Sequence, residues 1–226
     1  MKQGKIIVIE GSCDGVGKTT QVEMLCDFFD KTGENYIDHH FPSYKTTQGA
    51  LAEKYLKGEF GNFKNLSPYF INTLFAVDRA ITWEKDLKKE YEQGKIVLLD
   101  RYTTSSLIYQ TALFDKLEDK KQFIDYVMEY EYNKLKIKEP DQVIFLTMPY
   151  SLAAEQIQKR NHNQGLVKDI HETNSDYLRK VYETSLFVAD YLSWDIVECS
   201  KNEKTRSCED IHFDIQDRVR KRKKLL

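Results

Sequence analysis

Short unbroken apolar runs alternate along the chain with longer stretches in which apolar residues return every three to four positions. Residues 6–9, 36–41, 95–100, 142–147 and 194–199 read as five strands. After the first, Val22, Leu25, Cys26 and Phe29 mark a helix that Gly33 closes. Further helices are predicted over residues 46–57, 67–93, 105–113, 119–136, 151–160 and 175–192, and Ile211, Ile215 and Val219 mark the last one. The 67–93 helix opens with Ser67 as N-cap and Pro68 at its first position, carries Phe70, Leu74, Val77, Ile81, Leu87 and Tyr91 as its apolar stripe, and at 1.5 Å per residue spans about 40 Å. Strands that alternate with helices and lack polar alternation of their own imply an α/β fold with a parallel sheet covered on both faces. Ligands in such sheets sit beyond the carboxyl ends of the strands, here residues 10–20, 41–45, 100–102 and 147 onward.

The first of those ends carries the strongest chemical signal. Residues 6–20 read IIVIEGSCDGVGKTT, a strand, a glycine-bearing loop and the start of a helix. Glycines let backbone N–H groups turn inward toward phosphate oxygens, and the helix adds its positive N-terminal end. On this P-loop reading Ser12, Cys13, Asp14, Gly15, Val16, Gly17, Lys18, Thr19 and Thr20 line an ATP triphosphate; Lys18 reaches the outer phosphates and the Thr19 hydroxyl meets a bound Mg²⁺. The strict G-x-x-x-x-G-K-[ST] pattern puts its first glycine where this chain has Ser12, and Gly11 makes the loop one residue longer. Asp100, closing an apolar strand, is a second candidate for holding Mg²⁺, and Arg101 beside it is placed to neutralise a transferring phosphoryl group.

The 226 residues suit a single domain. Apolar content of 41% and charged content of 31% exclude a disordered chain, and a net charge of −2 argues against a general nucleic-acid or membrane-surface binder. The basic run at 218–224 reads as a solvated helix end. Cys13, Cys26, Cys199 and Cys208 lack the spacing of a zinc site or a disulfide framework, so reduced thiols and a cytoplasmic location are expected. No signal-like or membrane-spanning segment is read.

The stretch LLDRYTTSSLIYQ at residues 98–110 resembles the thymidylate kinase signature. FPSY at 41–44, GEFG at 58–61, LFAVDR at 74–79, EPD at 139–141 and KDIHE at 168–172 resemble that family in the same order. The resemblance implies a three-layer P-loop kinase fold with strand order 2-3-1-4-5 and a mobile lid at about 158–172. It implies transfer of the ATP γ-phosphoryl group to dTMP, a step toward dTTP, with Mg²⁺, in a homodimer formed through long helices such as 67–93 and 105–113. Carried over residue by residue, it places Phe75 against the thymine ring and Arg79 at its carbonyl edge. The two stand at i and i+4 on one helix face. Ser106, Tyr109 and Gln110 complete the base and sugar pocket, Pro42 and Tyr44 shape its entry, and Asp14 lies near the 3′-hydroxyl and the acceptor phosphate. Counted from the strand instead of from Gly17, that last place falls on Cys13. Lys18, Arg101, Asp14 and the lid's Arg160, with Lys159 and Lys168 near it, form the catalytic set.

Two other classes compete. A deoxynucleoside kinase needs a carboxylate base after the second strand, where this chain has Phe-Pro-Ser-Tyr. A regulatory protein that binds ATP without transferring phosphate fits the irregular loop but leaves Lys18, Arg79, Asp100 and Arg101 without a purpose. A GTPase switch would need N-K-x-D, and Asn133-Lys134 is followed by Leu135-Lys136.

Overall fold

The computed structural model describes residues 3–156, 170 and 174–223. The five predicted strands form one sheet: β1 (Lys5–Gly11), β2 (Tyr36–His40), β3 (Ile96–Asp100), β4 (Gln142–Thr147) and β5 (Asp195–Glu198). All neighbours are parallel in the order β2-β3-β1-β4-β5, as expected. The central strands β3 and β4 are buried throughout and β1 almost so, which is why their sequences show no polar alternation.

Successive side chains of these strands feed opposite layers. Ile7, Ile9, Leu98, Ile144 and Leu146 pack with Val22, Leu25 and Phe29 of α1 (Lys18–Thr32) and with Ile211, Ile215 and Val219 of α9 (Cys208–Lys223). On the other face Ile6, Val8, Val97 and Leu99 meet Trp83, Leu87 and Tyr91. Phe145 joins a cluster built from α5 (Thr103–Tyr109), α6 (Leu117–Met128) and α8 (Ser175–Tyr191). Helix 150–156, counted as α7, follows β4, and β6 (Ser200–Lys201) pairs with β7 (Lys204–Thr205) in a small antiparallel hairpin that the apolar pattern does not announce.

Three expectations change. The 46–57 helix starts only at α2 (Ala50–Leu56), because the Thr46 hydroxyl donates to Ser43 O at 2.6 Å and accepts from Gly49 N, tying off a turn first. Gly49 is needed there, since a Cβ would lie 2.1 Å from Ser43 O. The 67–93 helix is α3 (Pro68–Thr82), a π-helical turn (Trp83–Leu87) and α4 (Lys88–Glu92). Its buried face is Ile71, Leu74, Asp78 and Thr82, followed by Trp83, Leu87 and Tyr91. The π turn absorbs one extra residue there, and Trp83, Leu87 and Tyr91 beyond it continue against the sheet. Phe70 and Ile81, both ahead of the π turn, are 44% exposed. Finally, α5 is enclosed by its neighbours, with Thr103, Thr104, Ser106, Leu107 and Ile108 all buried, so the 105–113 segment offers little surface to a partner chain.

Candidate active site

The loop after β1 curls back over the start of α1. Gly15 and Gly17 take the left-handed conformation, at φ 80° and 96°, which favours glycine. Gly11 is required for a different reason: a Cβ there would meet Val16 Cγ1 at 2.8 Å and the Lys18 stem at 3.2 Å. Gly11 still pairs within the sheet, opposite Leu146 on β4, so the extra loop residue is accommodated by a longer strand. Ser12 is wholly buried and its N–H donates to Leu146 O, which removes it from the set of inward-pointing donors. The Cys13 side chain packs in the core and burial pushes its thiol up, so Cys13 and Val16 contribute backbone only. Among the described residues the N–H groups of residues 13–17 have no protein acceptor. That row of free donors at a helix N-terminus is what an anionic phosphate chain needs. Thr20 lies exposed on the first turn of α1.

Lys18 Nζ bends over the loop, donating to Cys13 O at 3.1 Å and to Asp14 Oδ1 at 3.3 Å. Arg101, at the end of β3, holds φ 67°, a conformation sparsely used by residues with a side chain. Its guanidinium lies over the Tyr109 ring at 5.6 Å and pairs closely with Asp14, while Glu10 stands 3.6 Å away. Burial works to raise the Asp14 carboxyl, but the charges of Arg101 and Lys18 outweigh it and hold the group well below the usual carboxylate range. Asp14, not Cys13, therefore presents its side chain to Lys18 and Arg101. Glu10, fully buried, accepts from the hydroxyls of Thr104 and Ser105 at 2.8 and 2.6 Å and so ties the start of α5 to the end of β1.

Thr19 Oγ1 donates to Asp100 Oδ2 at 2.8 Å, and His40 Nδ1 stands 3.2 Å from the same oxygen. Asp100 Oδ1 is buried without a hydrogen-bond partner among the described residues. A hydroxyl and a carboxylate with a free oxygen, next to the phosphate loop, fit a hydrated Mg²⁺ ion held partly by phosphates.

Beside the loop opens a half-open cavity. Asp14, Pro42, Tyr44, Phe75, Arg79, Arg101, Ser106, Tyr109 and Gln110 all line it, together with Phe41, Leu56, Tyr102 and Ser105. The turn carrying Pro42 and Tyr44 is anchored to α3, because Ser43 N donates to Asp78 Oδ2 at 2.7 Å. Phe75 is half-buried and meets Tyr55 edge to face at 5.7 Å. Arg79 is 2% exposed; its Nε and Nη2 donate to the two Glu131 oxygens at 2.6 and 2.7 Å, and Nη2 also reaches Ser106 Oγ at 2.8 Å. Glu131 escapes a reading of the sequence, since it sits in a π-helical turn (Glu129–Lys134) where no helical period applies. Gln110 Oε1 is buried without a partner among the described residues. Arg160, Lys159, Lys168 and most of the 158–172 lid lie outside the described residues; Ile170 donates its N–H to Leu56 O at 3.1 Å. Among the described residues no helix is long and apolar enough to cross a membrane, and Cys13, Cys26, Cys199 and Cys208 are free.

A family model described as thymidylate kinase matches residues 9–211. A probable thymidylate kinase from Thermococcus gammatolerans is 31% identical over 216 residues, covering 94% of both chains. A thymidylate kinase from Plasmodium falciparum is 30% identical over 222 residues, covering 97% of this chain and 91% of its own. The solved structure of a thymidylate kinase from Candida albicans superposes with a TM-score of 0.73 over 98% of this chain and 93% of that one; at 22% identity it speaks for the fold alone.

Proposed function

The chain belongs to the thymidylate kinase family, and on that premise we propose that it transfers the γ-phosphoryl group of ATP to the phosphate of dTMP, giving dTDP and ADP. The observation that carries this reading is one cavity, bordered by the phosphate loop, whose wall includes all nine residues assigned from sequence to the acceptor nucleotide.

The base pocket fits thymine group by group. The Phe75 ring supplies a stacking face. Arg79 spends Nε and Nη2 on protein acceptors and keeps Nη1 for a ring carbonyl, while Gln110 Oε1 is a free acceptor for the ring N–H. Tyr109, packed under Arg101, crowds the place of a ribose 2′-hydroxyl and so favours deoxynucleotides. Arg101 and Lys18 then stand between acceptor and donor phosphates, with Asp14 holding both cations in place. An acceptor phosphate is already ionised, so no strong base is required, and catalysis is positioning plus charge neutralisation in an in-line displacement. Thr19 and Asp100 would hold Mg²⁺, which when bound neutralises charge on the ATP phosphates.

A nucleoside kinase is disfavoured because the carboxyl end of β2 leads into Phe41–Tyr44, which brings no carboxylate into the cavity. We further propose a cytoplasmic enzyme, supported by its four free thiols, and a homodimer formed through the exposed side of α3. Lys18→Ala tests the catalytic reading: turnover should fall by at least about 10²-fold with dTMP binding and the melting temperature nearly unchanged. Turnover near that of the unsubstituted chain would remove Lys18 from the mechanism.

A further inference from the structure

We infer that Glu131 is a positioning residue that fixes Arg79 for reading the base and keeps the base pocket electrically neutral, an inference resting on the dTMP reading of the cavity. The Arg79 and Glu131 side chains are 3% and 0% exposed, and they meet through two parallel charge-assisted hydrogen bonds of 2.6 and 2.7 Å. A bidentate fork fixes the plane of the guanidinium as well as its position, which a single contact does not. Ser106 Oγ and Asn72 Oδ1, at 2.8 and 3.4 Å, hold Nη2 from two further helical positions. The remaining nitrogen, Nη1, has no protein acceptor among the described residues, and Arg79 lines the cavity.

Charge makes the case specific to Glu131. A buried guanidinium without a counter-ion is costly and would draw an anion into the pocket. The other ionisable groups near Arg79 do not serve. Asp78, on α3, makes its hydrogen bonds to Ser43 N and the Thr82 hydroxyl and none to Arg79, so its charge acts on the guanidinium only from a distance, after that of Glu131. Tyr102 and Tyr132 are phenols that burial pushes far up, so both stay neutral. Thr103 Oγ1 donates to Glu131 Oε2 at 3.3 Å and braces the carboxylate from α5. The neutral pair therefore presents a directed donor without a net charge, which suits an uncharged keto base.

The π turn explains how the carboxylate arrives there. Tyr130 accepts from Leu135 N at 2.9 Å, five residues on, and the wider turn directs Glu131 into the protein between partly exposed Tyr130 and Tyr132.

The test compares Glu131→Gln and Glu131→Asp with the unsubstituted chain in steady-state kinetics on dTMP and on 5-fluoro-dUMP, whose ring N3–H is more acidic than that of thymine. Glu131→Gln should raise KM for dTMP about tenfold or more, leaving kcat and KM for ATP within about twofold. With Arg79 no longer neutralised, that variant should come to prefer 5-fluoro-dUMP over dTMP as pH rises through the analogue's ionisation. Glu131→Asp keeps the charge but shortens the reach: it should raise KM for dTMP without the pH-dependent preference. An unchanged KM for dTMP, equal losses for dTMP and ATP, or a pH-independent preference in Glu131→Gln would overturn the inference while the dTMP reading stood. Absence of dTMP phosphorylation by the unsubstituted chain would instead remove that reading and this inference with it.

Discussion

Asp14 shows how much one side chain can carry. It joins Lys18 and Arg101, two cations on different elements that would otherwise repel across the phosphate site. Its carboxyl is depressed in the folded chain, so the stability it contributes is fully present above the ordinary carboxylate value near 4 and is lost as pH falls toward the lower folded value. Asp14→Asn should therefore be less stable than the unsubstituted chain at neutral pH, with the gap in urea midpoints closing as pH drops below about 4. A gap that stayed constant to low pH would mean that Asp14 does not ionise against these cations. The sequence left Asp14 and Cys13 both eligible for this place, because counting from either end of a loop with one extra residue gives different answers. In the folded chain the Cys13 side chain fills the core under the loop, and the next residue faces the cations, which favours Asp14. Glu131 was not legible at all. Its partner lies 52 residues away, and neither strand nor helix periodicity describes the turn that carries it.

At the scale of elements, the π turn after α3 sets how the helix continues along the sheet. It absorbs one extra residue, and the helix keeps contact with the sheet along Trp83, Leu87 and Tyr91. Ahead of that turn, Phe70 and Ile81, eleven residues or about three turns apart, share one outward stripe of α3. Exposed large apolar residues aligned on a helix suit a self-complementary contact across a two-fold axis. The chain should sediment as a dimer at micromolar concentration, and Phe70→Ser combined with Ile81→Ser should shift it to monomer. A monomer before substitution, or a dimer indifferent to it, would assign the stripe to something else. Four of the five strands were read to within one residue, while β1 runs two residues past the expected end, through Glu10 and Gly11, where the apolar run has stopped but pairing with β4 continues. The long helix was read as an element, and of its apolar stripe Leu74, Leu87 and Tyr91 do face inward while Phe70 and Ile81 do not; the π turn at Trp83–Leu87 was not legible from a regular period.

At the scale of the molecule, the parallel sheet delivers the phosphate loop from β1, the Phe41–Tyr44 turn from β2 and the Asp100–Arg101 pair from β3 to one edge. Helix α3 crosses that edge with Phe75 and Arg79, and α5 closes it with Ser106 and Tyr109. Alternating elements and strand ends gave a parallel sheet with a cleft at its carboxyl edge, while the strand order and the base-pocket residues were legible only through the resemblance to the thymidylate kinase family. The hydrogen-bond roles inside the site required three dimensions. ADP release should be measured with ATP and Mg²⁺ against dTMP, dUMP, UMP, dCMP, dGMP and thymidine at matched concentrations. The arrangement of Phe75, Arg79, Gln110 and Tyr109 predicts strong preference for dTMP and no turnover of thymidine. Turnover of thymidine but not dTMP, or ATP binding without phosphoryl transfer to any of them, would contradict it.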